Sequence, residues 1–339
     1  MILEDQGRLP NWHWPACNGL MLLPALYAAI AIHELGHLIA GRIVGLDAGG
    51  ISVGAFVFTK SGKNWVVRFD RRMGIGGFFK TLTTSLDFHP SRFACLVLGG
   101  PLASLVVSVV CGIVSIRYGS GAWDWVATLF WVSLLLLILS AAPHSFGLNK
   151  SDGGRLWRII FHPQQARRWG AIVAIHSEEA KSLRPCEWNL QLFNEILDVG
   201  SSPSEFLYCQ LLAYYRRLDE GCEVDALKHL EGVLASSARV GKRLRHALFL
   251  EAASASAIIR KRPIQARRWF ERACKLQKPE SPDVVEAAIA MCEGRYEEAA
   301  ASWKTAIERV TRKRLDSGLI RFAKGKWAMY EAVCRAHQG

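Results

Sequence analysis

The chain has 339 residues, half of them hydrophobic, and 42 Lys and Arg against 30 Asp and Glu. That length holds two domains of ordinary size, and the apolar share is slightly rich for a soluble protein. The net charge of +12 does not call for a nucleic acid, because the second half interleaves both signs, and nine cysteines with no C-x-x-C pair argue against a zinc ribbon or a disulfide framework. Scattered buried thiols in a reduced compartment account for them better.

In chain order, Met1 to Gly19 carries Glu4 and Asp5 and lacks a basic n-region and a small-residue cleavage site, so no removed signal peptide is expected. A first apolar span follows at about Leu20 to Val44. Short alternating runs, "ISVGAFVF", "NWVVRF" and "MGIGGFFK", read as strands. No charged residue occurs in the 24 positions from Phe93 to Ile116 or the 25 from Trp125 to Asn149. Runs of about 20 apolar residues cross a hydrocarbon core of about 30 Å, so three spans are expected. Lys60, Lys63, Arg68, Arg71, Arg72, Lys80 and Arg92 lie between the first two spans, against Arg117 alone between the second and third. The first loop is therefore expected in the cytoplasm, the N-terminus outside, and everything after the third span inside, in line with Arg155, Arg158, Arg167 and Arg168.

The first span contains "HELGH". His33 and His37 are four apart, so on a helix they project from one face at the spacing with which two imidazoles bind one zinc. Glu34, beside the first histidine, is placed to accept a proton from an attacking water, the H-E-x-x-H arrangement of metal-dependent hydrolysis. Core histidines satisfied by hydrogen bonds are the plainer reading, but three ionisable groups inside a span are costly in lipid and mark function. A third ligand is needed. The metzincin position, six after His37, holds Ile43, and the next Glu after Glu34 is Glu178, so neither soluble zincin pattern fits. The carboxylates left in the membrane half are Asp47, Asp70, Asp87, Asp124 and Asp152. Asp124 falls on the outer side, and Asp47, Asp70 and Asp87 lie in the basic loop as solvated charges or turn residues. Asp152, in "KSDGGRL" directly after the third run, stands out as a ligand, with a helix N-cap as its alternative role.

"HELGH" in a first span, "GGPLAS" in a second (Gly99 to Ser104) and "DGGR" after a third resemble the three signatures of the site-2 protease family of intramembrane zinc metalloproteases. The resemblance covers about residues 20 to 158. It implies a three-helix catalytic core in which His33, His37 and Asp152 bind one zinc ion per chain, with Glu34 as general base. It also implies membrane-protein substrates, a lipid surrounding, and a β-rich, partly embedded loop at the predicted strands. The exposed edge of Ile51 to Phe58 is the expected seat of an unwound substrate, held as an added strand. Members have Asn, two residues, then Pro, with Asp five positions later. Here Ser140 replaces that Asn and Pro143 lies nine positions before Asp152. Four extra residues lengthen the unwound segment, and Asn149 or His144 are the stand-ins for the missing polar group. Ser104 stands where many members have Asn.

After about Arg155 the sequence is charged, Ala-rich and helical in period. "RPIQARRWFERACKL" and "GRYEEAAASWKTAIERV" align Ala266 with Ala299, Phe270 with Trp303 and Ala273 with Ala306 at a period of 33, with "EVDALKHLEGVLASS" as an earlier, poorer copy. This spacing, close to the 34 residues of tetratricopeptide repeats, suggests stacked helix pairs; a generic bundle is the alternative. The expected whole is a mainly α protein: a membrane core with a small β-rich loop over 1–158 and a cytoplasmic, all-α, tetratricopeptide-like domain over 159–339. Its partners are a membrane-protein substrate and a cytoplasmic protein, with no nucleic acid. The competing functions are a non-catalytic membrane scaffold that recruits through its repeats, and a zinc enzyme acting on lipid.

Overall fold

A computed structural model describes residues 19–61, 64–70, 74, 76–83, 88–118, 124–146, 149–197, 203–279, 281–312 and 317–338. The leader reading of residues 1–18 and the loop role of Asp87 lie outside them. The chain divides into two compact units, Met1–Ala166 and Arg167–Gly339.

In the first unit, α1 (Gly19–Ile43) leads into a four-stranded antiparallel sheet of β1 (Asp47–Val53), β2 (Phe56–Ser61), β3 (Asn64–Phe69) and β4 (Gly77–Leu82), followed by α2 (Pro90–Tyr118) and α3 (Asp124–Ala141). Two helical stretches, Met21–Ile43 and Pro90–Tyr118, are long and apolar enough to cross a membrane, and a shorter apolar helix covers Trp125–Ala141. The third apolar run is thus only partly helical. Ala142 is followed by Pro143, which disfavours a helical residue before it. The chain then turns through a two-residue hairpin, β5 (Ser145–Phe146) on β6 (Asn149–Lys150), before α4 (Asp152–Phe161). Of the lengthened segment before Asp152, Ser145, Phe146, Asn149 and Lys150 are thus paired as strands and not merely unwound.

Small residues let α1 and α2 meet backbone to backbone. A Cβ at Gly36 would collide with the Gly99 carbonyl and one at Gly99 with the Gly36 carbonyl, while Ala40 and Ala103 flank the contact. Gly36 with Ala40 and Gly99 with Ala103 are two small-x-x-x-small pairs, the pattern by which apolar helices pack closely without a hydrophobic drive between them. Elsewhere in the bundle Ala25, Ala29, Cys111, Val126, Leu129 and Val132 form a common core. Ile39, Ile43, Val106, Ile113, Leu135 and Ile138 face outward.

The strand order is β3-β2-β1-β4. β1 pairs with β2 on one side and β4 on the other, and β2 also pairs with β3, so Ile51 to Phe58 offers no free edge. This corrects the expected substrate seat. Alternation reveals strands but not their order, which depends on pairing across the intervening segment. Among the described residues the edges are β3 and β4.

The second unit continues α5 (Pro163–Ala180) into α6 (Leu190–Leu197), α7 (Pro203–Asp219), α8 (Glu223–Ala235), α9 (Lys242–Ile258), α10 (Pro263–Leu276), α11 (Pro282–Cys292), α12 (Tyr296–Arg312) and α13 (Gly318–Ala336). Helices α7 and α8, α9 and α10, and α11 and α12 form antiparallel pairs whose turns pass through left-handed residues at Gly221, Lys261 and Gly294. Ala226, Leu230 and Val233 on α8 are buried, as are Ala266 and Ala273 on α10 and Ala299, Trp303 and Ala306 on α12. Phe270 packs with the last two groups. The second helix of each pair therefore turns an i, i+4, i+7 trio inward, buried in α8 and α12 and with Phe270 half-buried in α10, which explains the recurring small and aromatic residues.

Candidate metal centre

His33 and His37 project from the same face of α1 with ring centroids 4.9 Å apart. Asp152 opens α4; the N-cap of that helix is Ser151, whose hydroxyl accepts from the Gly154 N–H. The alternative role foreseen for Asp152 is thus filled by its neighbour. Asp152 Oδ2 lies 3.1 Å from His33 Nε2 and 3.4 Å from His37 Nε2. The three ligand-type atoms fall within 4.8 Å of one another, and all three residues are buried.

The other nitrogen of each ring decides what these contacts mean. His37 Nδ1 is 2.8 Å from the Leu96 carbonyl, which can only accept, so Nδ1 carries the proton and Nε2 keeps its lone pair. The Gly100 N–H, 3.3 Å from the same Nδ1, is then a neighbour and not a donor to it. His33 Nδ1 is 2.9 Å from the Ser104 hydroxyl, which can donate or accept; when it accepts from Nδ1, His33 Nε2 is left in the same state, and when it donates, Nε2–H bonds Asp152 instead. In the first case, two imidazole lone pairs and one carboxylate oxygen face each other with no proton between them. Such a set is repulsive by itself and is satisfied by a cation, with the borderline-soft N and O donors that suit zinc. Gly100 keeps the space clear: a Cβ there would run into Nε2 of both histidines. The residues present therefore fit a metal ion.

Glu34 is buried beside the group, and its Oε2 has no hydrogen-bond partner among the described residues. Its carboxylate lies against the first residue of β4, since a Cβ at Gly77 would collide with Oε1. Two residues on, Phe79 stacks on His37 with centroids 6.3 Å apart. β4 is thus the strand beside the ionisable cluster. Arg155 Nη1 approaches Asp152 Oδ1 at 3.5 Å and balances its charge from the far side.

The remaining candidates stay apart. Asp47 is exposed, and Asp70 is half-buried at the end of β3, its N–H donating to the Ala55 carbonyl. The side chains of Asp124 and Asn149 lie outside the described residues. The Ser140 hydroxyl donates within its own helix to Leu137, and the exposed His144 ring turns to the Ala142 carbonyl. Sequence reasoning did not assign Ser104, Gly100, Gly77 or the Leu96 carbonyl. The first two sit in "GGPLAS", which flagged the helix but not their contacts; the last two carry no local signal.

An H-E-x-x-H turn in an apolar helix and a buried aspartate from a later helix thus converge on one point, as a metal site would require. Residues 21–186 match the model of peptidase family M50. That stretch, just under half of the chain, is similar to this family, the site-2 proteases, whose members are membrane-embedded, zinc-dependent metallopeptidases. No curated protein and no solved structure matches the chain.

Proposed function

We propose that this protein is an intramembrane zinc metalloprotease that hydrolyses peptide bonds of membrane-protein substrates in regulated proteolysis. In this reading His33, His37 and Asp152 hold one zinc ion per chain and Glu34 is the general base. The observation that carries it is the buried convergence of three lone-pair donors, with an unpartnered carboxylate beside them.

Zinc, when bound, supplies a Lewis acid that brings a water pKa towards about 7 and polarises the scissile carbonyl. The chain's own residues do the rest. Leu96 and Ser104 hold the two imidazoles in the tautomer and orientation that present Nε2. Glu34, with Oε2 free to accept, takes the proton of the attacking water and returns it to the leaving amine nitrogen. A helical substrate hides its carbonyls in its own hydrogen bonds, so it must unwind first. The open edge of β4 is the seat assigned to it here, because β4 begins against Glu34 and an edge strand offers unpaired backbone groups to an added one. The second unit is taken as a cytoplasmic, tetratricopeptide-like domain that binds a partner or the substrate's tail.

Metal analysis of detergent-purified protein should give about one zinc per chain, the content of a three-ligand site. His33→Ala with His37→Ala should remove it. Glu34→Gln should keep zinc and fold but abolish nearly all cleavage, because an amide does not accept the proton. Full zinc in the double variant, or undiminished cleavage by Glu34→Gln, refutes the assignment.

A further inference from the structure

The second unit carries 29 Lys and Arg against 22 Asp and Glu, but the excess is not spread evenly. Residues 242–278, the α9 and α10 pair, hold 11 basic and two acidic side chains, which leaves 18 basic and 20 acidic for the rest of the unit. The interleaving of sign that spoke against an anionic partner holds outside this pair and fails within it. One of the two acids, Glu251, is bonded inside the unit to Tyr215, whose hydroxyl donates to it at 2.7 Å.

The other acid, Glu271, is exposed on the same face of α10 as Ile264, at i+7 from it, so that face is net positive and not purely basic. Ala266 and Ala273 bury one face of α10, while Ile264, Arg268, Arg272 and Lys275 follow at i, i+4, i+8 and i+11 on the other and are exposed. Lys261, Arg262 and Lys278 extend the stripe at its two ends, exposed as well. Arg267 and Arg260 are held by Glu293 and Glu231. Lys261, Arg262, Arg268, Arg272, Lys275 and Lys278 make no ion pair among the described residues. Ile264 is 70% exposed within this basic surround, a large apolar side chain with no core to enter.

We propose that the α10 face of the second unit docks on the anionic headgroups of the bilayer that holds the first unit, with Ile264 dipping into the interface. The proposal rests on the membrane assignment made above, with this domain on the anionic leaflet's side, and not on catalysis. Three observations favour lipid over an acidic peptide or nucleic acid. The stripe lies on a single helix face and suits a plane; its one exposed large apolar residue has a use in an interface; and the tether to apolar helices keeps the surface at high effective concentration. Each basic residue close to an anionic leaflet raises partitioning about fivefold, an effect that salt screens.

The test is hydrogen exchange on the full-length protein in nanodiscs of phosphatidylcholine alone or with about 30% phosphatidylglycerol, an anionic fraction chosen to give a negative surface. Amides of residues 261–278 should exchange at least about threefold more slowly in the anionic discs, and about 0.5 M salt should remove the difference. Arg268→Glu, Arg272→Glu and Lys275→Glu together should abolish it, the milder Gln triple should weaken it, and exchange in α11 and α12 should report that the unit stays folded. Equal exchange in the two discs overturns the proposal. So does protection that survives charge reversal, or protection produced in neutral discs by an acidic peptide or RNA but not by anionic lipid. Zinc content and cleavage in the same preparations separate failure of docking from failure of the protease assignment.

Discussion

Each imidazole at the site uses Nδ1 to fix its ring, and the two anchors differ in kind. Leu96 contributes a backbone carbonyl that substitution cannot remove, whereas Ser104 contributes a hydroxyl that it can. Ser104→Ala should free the His33 ring and admit the other tautomer, weakening zinc binding about 10- to 100-fold with little change in helix content. Competition with a zinc chelator measures this, and Ser104→Asn, whose amide oxygen can also accept, should recover much of the affinity. Unchanged affinity in Ser104→Ala would mean that the serine only packs. The histidines and Glu34 were legible because helical spacing alone places them together, and Asp152 because the other carboxylates could be set aside. The anchors were not, because a hydrogen bond between residues 71 apart in sequence has no local signature.

At the scale of elements, the sheet adjoins the ionisable cluster through one strand. Gly77 of β4 leaves room for the Glu34 carboxylate, and any side chain there would meet Oε1. Gly77→Ala should therefore displace the base while leaving the zinc ligands untouched. A shift of about 1 Å in a reacting group can cost on the order of 100-fold, so cleavage should fall by that order while zinc content stays at wild type. Loss of zinc in this variant would place the fault in the fold instead. The existence of strands was readable from alternation, but the identity of the edge was not: β1 looks like an exposed strand in sequence and is central because β4 returns to it. The β5 and β6 hairpin was missed for a similar reason, since two-residue strands are too short to show a period.

For the whole molecule, the boundary between units falls at Ala166, within α5, whose Ala171, Ile172, Ala174 and Ile175 pack into the core of the second unit with Leu192, Phe193 and Leu212. A truncation that respects this ends at His162, before α5 begins. Residues 1–162 should keep their zinc and lose selectivity or control towards the cognate substrate; the same rate under the same regulation as full length would exclude a recruiting role for the second unit. Helix pairing there was legible from periodicity, because an inward-facing i, i+4, i+7 trio leaves a written pattern. The backbone contact of Gly36 with Gly99 bears on how a substrate reaches the cleft. Two helices whose main chains touch have no side-chain layer left to part, so the seam between α1 and α2 is a weld and not a doorway. The β4 seat proposed for the substrate carries the expectation that passage opens where β4 rests on α1. A covalent tether between α1 and α2 should leave turnover unchanged, whereas one between β4 and α1 should halt it with zinc still in place.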